Sequence, residues 1–183
     1  EMIQQTAFAS STTEDKHVLN GILFESGKVP NDKSTMRMVA TDGYRLAKSG
    51  SNVEGITNNF SVIVPTKTML ESLKVFSQNK NQQVKILVWA DQVAFKSEGV
   101  YLVSRLIQGQ FPDYKQVIPK STDTKIEVDL ATLLSALERA TVIASQSANI
   151  IKVDVKNNQL HIVASAPDVG NIDEVIEVDL KGK

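Results

Sequence analysis

The stretch TVIASQSANIIKVDVKNNQLHIVAS, Thr141–Ser165, decides the fold, because an earlier part of the chain has the same outline. That earlier part is AFASSTTEDKHVLNGILFES, Ala7–Ser26, continued by MRMVAT, Met36–Thr41. Each runs from a helix end through Ala-Ser and a short polar link into a strand, a turn and a second strand. The second strand ends in Val-Ala-Thr in one copy and Val-Ala-Ser in the other. A further pair keeps the same order: NFSVIVPTKTMLESLKVF, Asn59–Phe76, matches TKIEVDLATLLSALERAT, Thr124–Thr141, as a strand entering an amphipathic helix. Weak but ordered self-similarity is the mark of an internal repeat. Each unit is a helix and a few antiparallel strands. One unit alone leaves a sheet face uncovered, so the units are expected to pair. The class is therefore α+β, with amphipathic helices packed on antiparallel sheet. The break between two domains, 1–122 and 123–183, falls in the segment Lys120–Asp123.

The elements follow from periodicity. Met2, Ile3, Thr6 and Ala7 predict a short helix at the start. HVLNGILFES predicts a strand, Lys28–Ser34 a polar loop, and TMRMVAT the second arm of a hairpin. NFSVIVP is a third strand. In TKTMLESLKVFSQNK, Met69, Leu70, Leu73 and Phe76 form one helical stripe, with Thr68 and Glu71 as a capping box or Thr66 as the cap. VKILVWA, QVAFKSE and VYLVSRL read as three consecutive strands, with Trp89 in the core. KIEVD is a strand. Asp129 is an N-cap, and Leu130, Leu133, Leu134, Leu137 and Thr141 stripe the following helix to Ala144.

Composition excludes several kinds of function. The 183 residues are 42% hydrophobic and carry a net charge of −1, so a packed core is affordable and nothing in the bulk charge selects nucleic acid or an anionic membrane. There is no cysteine, hence no disulfide, thiolate zinc site or cysteine nucleophile, which suits a reducing cytoplasm. No apolar run approaches the ~20 residues of a membrane helix. The start, EMIQQTAFAS, lacks the basic and apolar regions of a signal peptide. It reads as a helix already under way, and VIEVDLKGK stops on a strand, so both ends look cut from something longer. The two histidines, His17 and His161, lack ligand-spaced carboxylates, and no metal or cofactor is expected. No phosphate-binding glycine loop or nucleophile elbow occurs.

Two motifs remain. VATDGYRLA, Val39–Ala47, places Tyr44-Arg45-Leu46 directly after an Asp-Gly turn. SRLIQGQFPDYKQVIP, Ser104–Pro119, is a connector rich in turn residues. Taken alone, each is ordinary: a hairpin turn with a half-exposed strand beyond it, and a linker. Asp42 and Asp113 as the acid and base of a hydrolase are a further reading, and turn chemistry accounts for both residues more simply.

Together, the two motifs at this separation resemble those of the bacterial replicative sliding clamp family, the beta subunit of DNA polymerase III. The resemblance runs the length of the chain and includes the repeat. It implies a DNA-clamp fold, in which 1–122 is nearly all of a middle domain and 123–183 the first half of a third. It also implies that a first domain and a C-terminal tail lie outside these 183 residues. The implied function is non-catalytic: a processivity factor encircling duplex DNA without sequence preference, as a homodimeric ring in the cytoplasm. Partners are implied to be the polymerase III alpha subunit, the clamp loader and other polymerases or repair proteins. They would dock short linear motifs in a cleft between the second and third domains.

For the docking cleft, the matching positions are Lys16, Leu19, Thr41, Gly43, Tyr44, Arg45, Leu46, Pro112, Gln116 and Val117. Leu19, Leu46, Pro112 and Val117 would form an apolar floor. Gly43 would let a peptide backbone approach, and Tyr44 and Arg45 would make an amphipathic rim. Lys16 and Gln116 stand where many relatives have arginine, and Tyr44 where histidine is common, which bears on partner preference. For DNA, the resemblance points to Thr13, His17 and Val18 in one loop. Lys67 and Lys74, seven apart, share a helix face, and Arg139 lies off the leucine stripe; an ordinary solvated face explains these three equally well. The alternative function is an unrelated repeat-built α+β protein-interaction module.

Overall fold

The computed structural model describes residues 1–27, 35–77 and 83–182. The chain divides into two compact units, Glu1–Val117 and Ile118–Lys183. The loop expected at Lys28–Ser34 and the helix end expected beyond Ser77 lie outside the described residues.

The first unit opens with helix α1 (Met2–Thr6) and a single 3-10 turn (Ala7–Ala9). The expected strand HVLNGILFES is shorter than its apolar pattern suggests. Residues Glu14–Asn20 form tight 3-10 turns kinked at Lys16, and strand β1 begins only at Gly21 (Gly21–Ser26). Strands β2 (Met36–Thr41), β3 (Leu46–Ser51) and β4 (Ser61–Pro65) complete an antiparallel sheet of order β3-β2-β1-β4. Every residue of β2 is buried, Arg37 included, so both of its faces are covered.

Helix α2 (Thr66–Phe76) follows, then the meander β5 (Lys85–Val88), β6 (Gln92–Ser97) and β7 (Val100–Arg105). Neither expected threonine caps α2. The N-cap is Pro65, and the Thr68 hydroxyl instead bonds Ser104 Oγ at 2.8 Å. Leu70 points outward, and Met69 with Ser72 forms the buried face. Trp89 lies just past β5 and is half-exposed rather than core. The main core joins β1, β2, α2 and β6 through Ile22, Phe24, Met38, Met69, Val93 and Phe95.

The second unit has β8 (Thr124–Glu127), helix α3 (Leu130–Ala144), β9 (Lys152–Lys156), β10 (Gln159–Ala166), β11 (Gly170–Glu177) and β12 (Asp179–Gly182). Strands β9, β10 and β11 form one antiparallel sheet, and β8 pairs with β12. Asp129 caps α3 as expected: its Oδ1 accepts the Thr132 amide and hydroxyl, both at 2.8 Å. The contact face of α3 takes in only part of the leucine stripe. Ala136, Ala140 and Ala144 are buried against Leu160, Ile162 and Ile176, with Leu133 and Leu137 at the edges and Leu130 and Leu134 exposed.

Candidate functional site

The first motif is a turn wired by its own side chains. Asp42 Oδ1 accepts the amides of Tyr44 at 2.9 Å and Arg45 at 3.0 Å, and Oδ2 accepts Arg45 Nε at 3.0 Å. These amides, with the guanidinium beside them, lower the Asp42 carboxyl to about 2. Thr41 Oγ1 donates to Arg45 O at 2.8 Å and accepts the Gly43 amide at 3.1 Å. Gly43 sits at φ 95°, a left-handed conformation that glycine adopts without strain. A Cβ there would meet only Lys16 Nζ, at 3.4 Å, so backbone conformation rather than crowding selects the glycine.

This wiring sets out the rim. Tyr44 is 95% exposed. Lys16, brought back by the kink before β1, donates to Asp42 O at 3.3 Å and lies 5.4 Å from the Tyr44 ring centroid. Arg45 packs its guanidinium 5.8 Å from the Phe8 ring centroid. With Asp42 and Asp113 both committed to turns, neither is poised as an acid or base: Asp113 caps a 3-10 turn (Tyr114–Gln116), accepting Lys115 N at 3.2 Å and Gln116 Nε2 at 2.9 Å.

The two motifs meet in a small apolar cluster. Leu23, Val39, Ile63, Phe111 and Tyr114 are its buried members, and Val18, Leu19, Leu46 and Ile107 pack on it half-buried. Leu19 and Leu46 thus lie on one cluster with the aromatic anchors of the second motif. Pro112 and Val117 remain outside the cluster, Val117 67% exposed with its amide bonded to Tyr114 O at 3.3 Å. Pro112 borders a cleft of about 400 Å³ between β1, β4 and the segment 106–115; Leu19, Leu46 and Val117 do not line that cleft.

The residues read as DNA-facing lie on three elements: the 3-10 segment before β1, α2 and α3. Thr13 and His17 are exposed. Val18 instead packs toward Gly109, where an added Cβ would come within 2.9 Å of its side chain. Lys67 is exposed on α2, and Lys74 pairs with Glu71 at 2.9 Å. Arg139 forms a two-pronged bond with Glu174, its Nη2 donating to Oε2 at 2.8 Å; the pair raises the arginine and lowers the carboxyl. Sequence reasoning passed over Glu25, Arg37, Phe111 and Tyr114. The available signal was a charged residue at an inward position of each of two otherwise apolar strands.

Among the described residues, no group of three or more acidic or histidine side chains could hold a metal ion. No described helix is long and apolar enough to cross a membrane.

Each unit packs helix on antiparallel sheet, the fold of the DNA-clamp class, and the first unit carries a wired turn beside an aromatic-anchored connector. Residues 1–113 match the family model for the DNA polymerase III beta subunit, central domain, and residues 115–183 that for its C-terminal domain. The chain belongs to the DNA polymerase III beta subunit family. It is 30% identical over 180 residues to the beta sliding clamp of Streptococcus pneumoniae, covering 98% of this chain and 46% of that protein. To the Haemophilus influenzae beta sliding clamp it is 29% identical over 182 residues, 100% and 48% of the two chains. The S. pneumoniae beta chain structure superposes with a TM-score of 0.87 at 30% identity, over 99% of this chain and 47% of that one. A Pseudomonas aeruginosa sliding clamp bound to griselimycin superposes at 0.88 with 28% identity, over 99% and 48%. The chain spans about half the length of the relatives it matches.

Proposed function

We propose that this chain is the partner-docking section of a processivity clamp, a non-catalytic protein that surrounds duplex DNA and tethers polymerases to it. The observation that carries the reading is the shared cluster. Leu19 and Leu46 from the first half of unit 1 and Phe111 and Tyr114 from its end build one apolar base, under a rim of Lys16, Thr41, Gly43, Tyr44 and Arg45. Family membership supports it, and so does the griselimycin-bound relative, a clamp of this fold that accepts a ligand. The ligand here is a short linear peptide with Leu or Phe anchors. Pro112, Gln116 and Val117 border the anchor site. The polymerase III alpha subunit, the clamp loader and repair polymerases carry such segments in this reading, and the protein acts as a homodimeric ring in the cytoplasm.

The tether is topological, so contacts with DNA are few and phosphate-directed; base readout would stop sliding. Thr13, His17, Lys67, Lys74 and Arg139 are the assigned contacts. Glu71 and Glu174 already pair with two of these cations and temper their pull on phosphate.

Fluorescence polarisation with a labelled Leu/Phe peptide tests the docking reading. Val117→Ala is the informative variant, because an exposed side chain can be trimmed within about 0.5 kcal/mol of wild-type stability. Burying an anchor contributes roughly 1.5–3 kcal/mol, so Leu46→Ala or Val117→Ala is expected to weaken binding about tenfold or more. Unchanged affinity in both variants sinks the assignment.

A further inference from the structure

The second motif is held by something other than its apolar anchors. Glu25 sits mid-sheet on β1, with Arg37 of β2 directly opposite on one side and Ser61 of β4 on the other. Its Oε2 accepts the Tyr114 hydroxyl at 3.0 Å and lies 3.7 Å from Arg37 Nε, while Oε1 accepts the Ser61 hydroxyl at 3.2 Å. Arg37 is 2% exposed and donates from Nη1 to Gly27 O at 2.9 Å. A carboxylate in this position accepts from the neighbouring strand β4 and from a residue 89 positions away, with the Arg37 guanidinium of β2 beside it as an ion pair.

Packing of the ring in the apolar cluster sets where it lies, and a tyrosine hydroxyl bonded to a carboxylate adds a directional restraint on top of it. Tyr114 is the only residue between Pro112 and Val117 that is buried. Its carbonyl accepts the Val117 amide. Where Tyr114 goes, Val117 follows.

We propose that Glu25, itself set by Arg37, is a positioning residue that locks Tyr114 and so holds the 112–117 turn in the orientation that presents Pro112, Gln116 and Val117 to a partner peptide. This rests on the docking reading above for the peptide, but the positioning itself is a separate physical claim. Glu25 and Tyr114 both line the cleft beneath the turn, so their bond ties the sheet wall to the connector wall. Phe111 and Tyr114 are also buried as apolar rings, so the ring's own packing remains when the hydroxyl is removed.

The test uses the 183-residue chain and Tyr114→Phe, which removes one oxygen and keeps the ring. Hydrogen exchange by NMR is followed at Gln116 and Val117, whose amides bond Asp113 O and Tyr114 O, and at Leu23 and Val39 on the sheet. Losing a hydrogen bond to a charged group is expected to speed exchange about tenfold or more at Gln116 and Val117 and to leave the sheet amides unchanged. Affinity for a Leu/Phe peptide is expected to fall about fivefold to tenfold alongside it, by the same argument. Should Tyr114→Phe unfold the unit, Glu25→Gln serves, because it keeps an acceptor but drops the charge that Arg37 holds. Unchanged exchange at 116 and 117, or equal acceleration at sheet and turn, overturns the proposal. Wild-type chain that binds no peptide overturns the docking reading, and the exchange comparison still decides the positioning.

Discussion

Helices α2 and α3 hold the same place in the repeat, each following a strand, yet they bury different kinds of residue. On α2 the contact face is Met69 and Ser72 with Phe76 at its end, packed on β1 and β4, with α1 alongside. On α3 it is a row of alanines, Ala136, Ala140 and Ala144, set against β10 and β11. The larger α3 side chains flank that row or leave it, Leu130 at 76% exposure and Leu134 at 53%. A helix that lies close on a sheet has room only for small side chains between the backbones, and its leucines must splay to the sides. Large apolar residues at helical spacing therefore mark a helix but only part of its buried face.

The difference can be broken at its strongest point first. Met69→Ala removes a fully buried side chain and is expected to destabilise unit 1 by about 2–5 kcal/mol in urea, read from Trp89 fluorescence. Ala140→Leu overfills the close contact of α3 and is expected to cost about 1–3 kcal/mol by far-UV circular dichroism. Leu134→Ala, a deletion at an exposed position of the same helix, is expected to stay within about 0.5 kcal/mol of wild type. If Leu134→Ala proved costlier than Ala140→Leu, the alanine row would not be the contact face.

The smallest effect concerns two aspartates that accept backbone amides, Asp42 in unit 1 and Asp129 in unit 2. Asp42 has a folded pKa of about 2, below its ordinary 3.8, chiefly through the amides of Arg45 and Tyr44. A carboxyl lowered on folding adds stability that is complete above its unfolded value. That contribution is lost as pH falls from about 4 toward 2. The Tyr44 and Arg45 amide signals are expected to titrate with a midpoint near 2, and Asp42→Asn to abolish that titration. Asp129 is also lowered, by the Thr132 amide and hydroxyl, so the start of α3 should respond in the same direction.

Much of the fold was legible. The β5–β7 meander, the Asp129 cap and the repeat order follow from alternation, capping chemistry and self-similarity, which are local. The structure departs from the local pattern where a contact with a distant segment competes with it. HVLN is apolar enough for a strand, but it continues 3-10 turns that kink at Lys16, whose Nζ donates to Asp42 O. Thr68 has the spacing of a cap, but its hydroxyl is drawn to Ser104, which is remote in sequence. At the candidate site, the turn residues were legible because Asp-Gly chemistry is short-range. The Glu25–Tyr114 bond was not, since no pattern within either segment names the other.

By itself, the sequence determined the class of unit, its repetition and the two motifs that mark the family, because each depends on residues close along the chain. Only the tertiary structure decided which side of each helix is buried and that Leu46, Leu19 and Tyr114 share one cluster. It alone also placed a carboxylate where it joins two strands to a distant turn. Those outcomes depend on the distance between backbones, which is set only when separate segments pack.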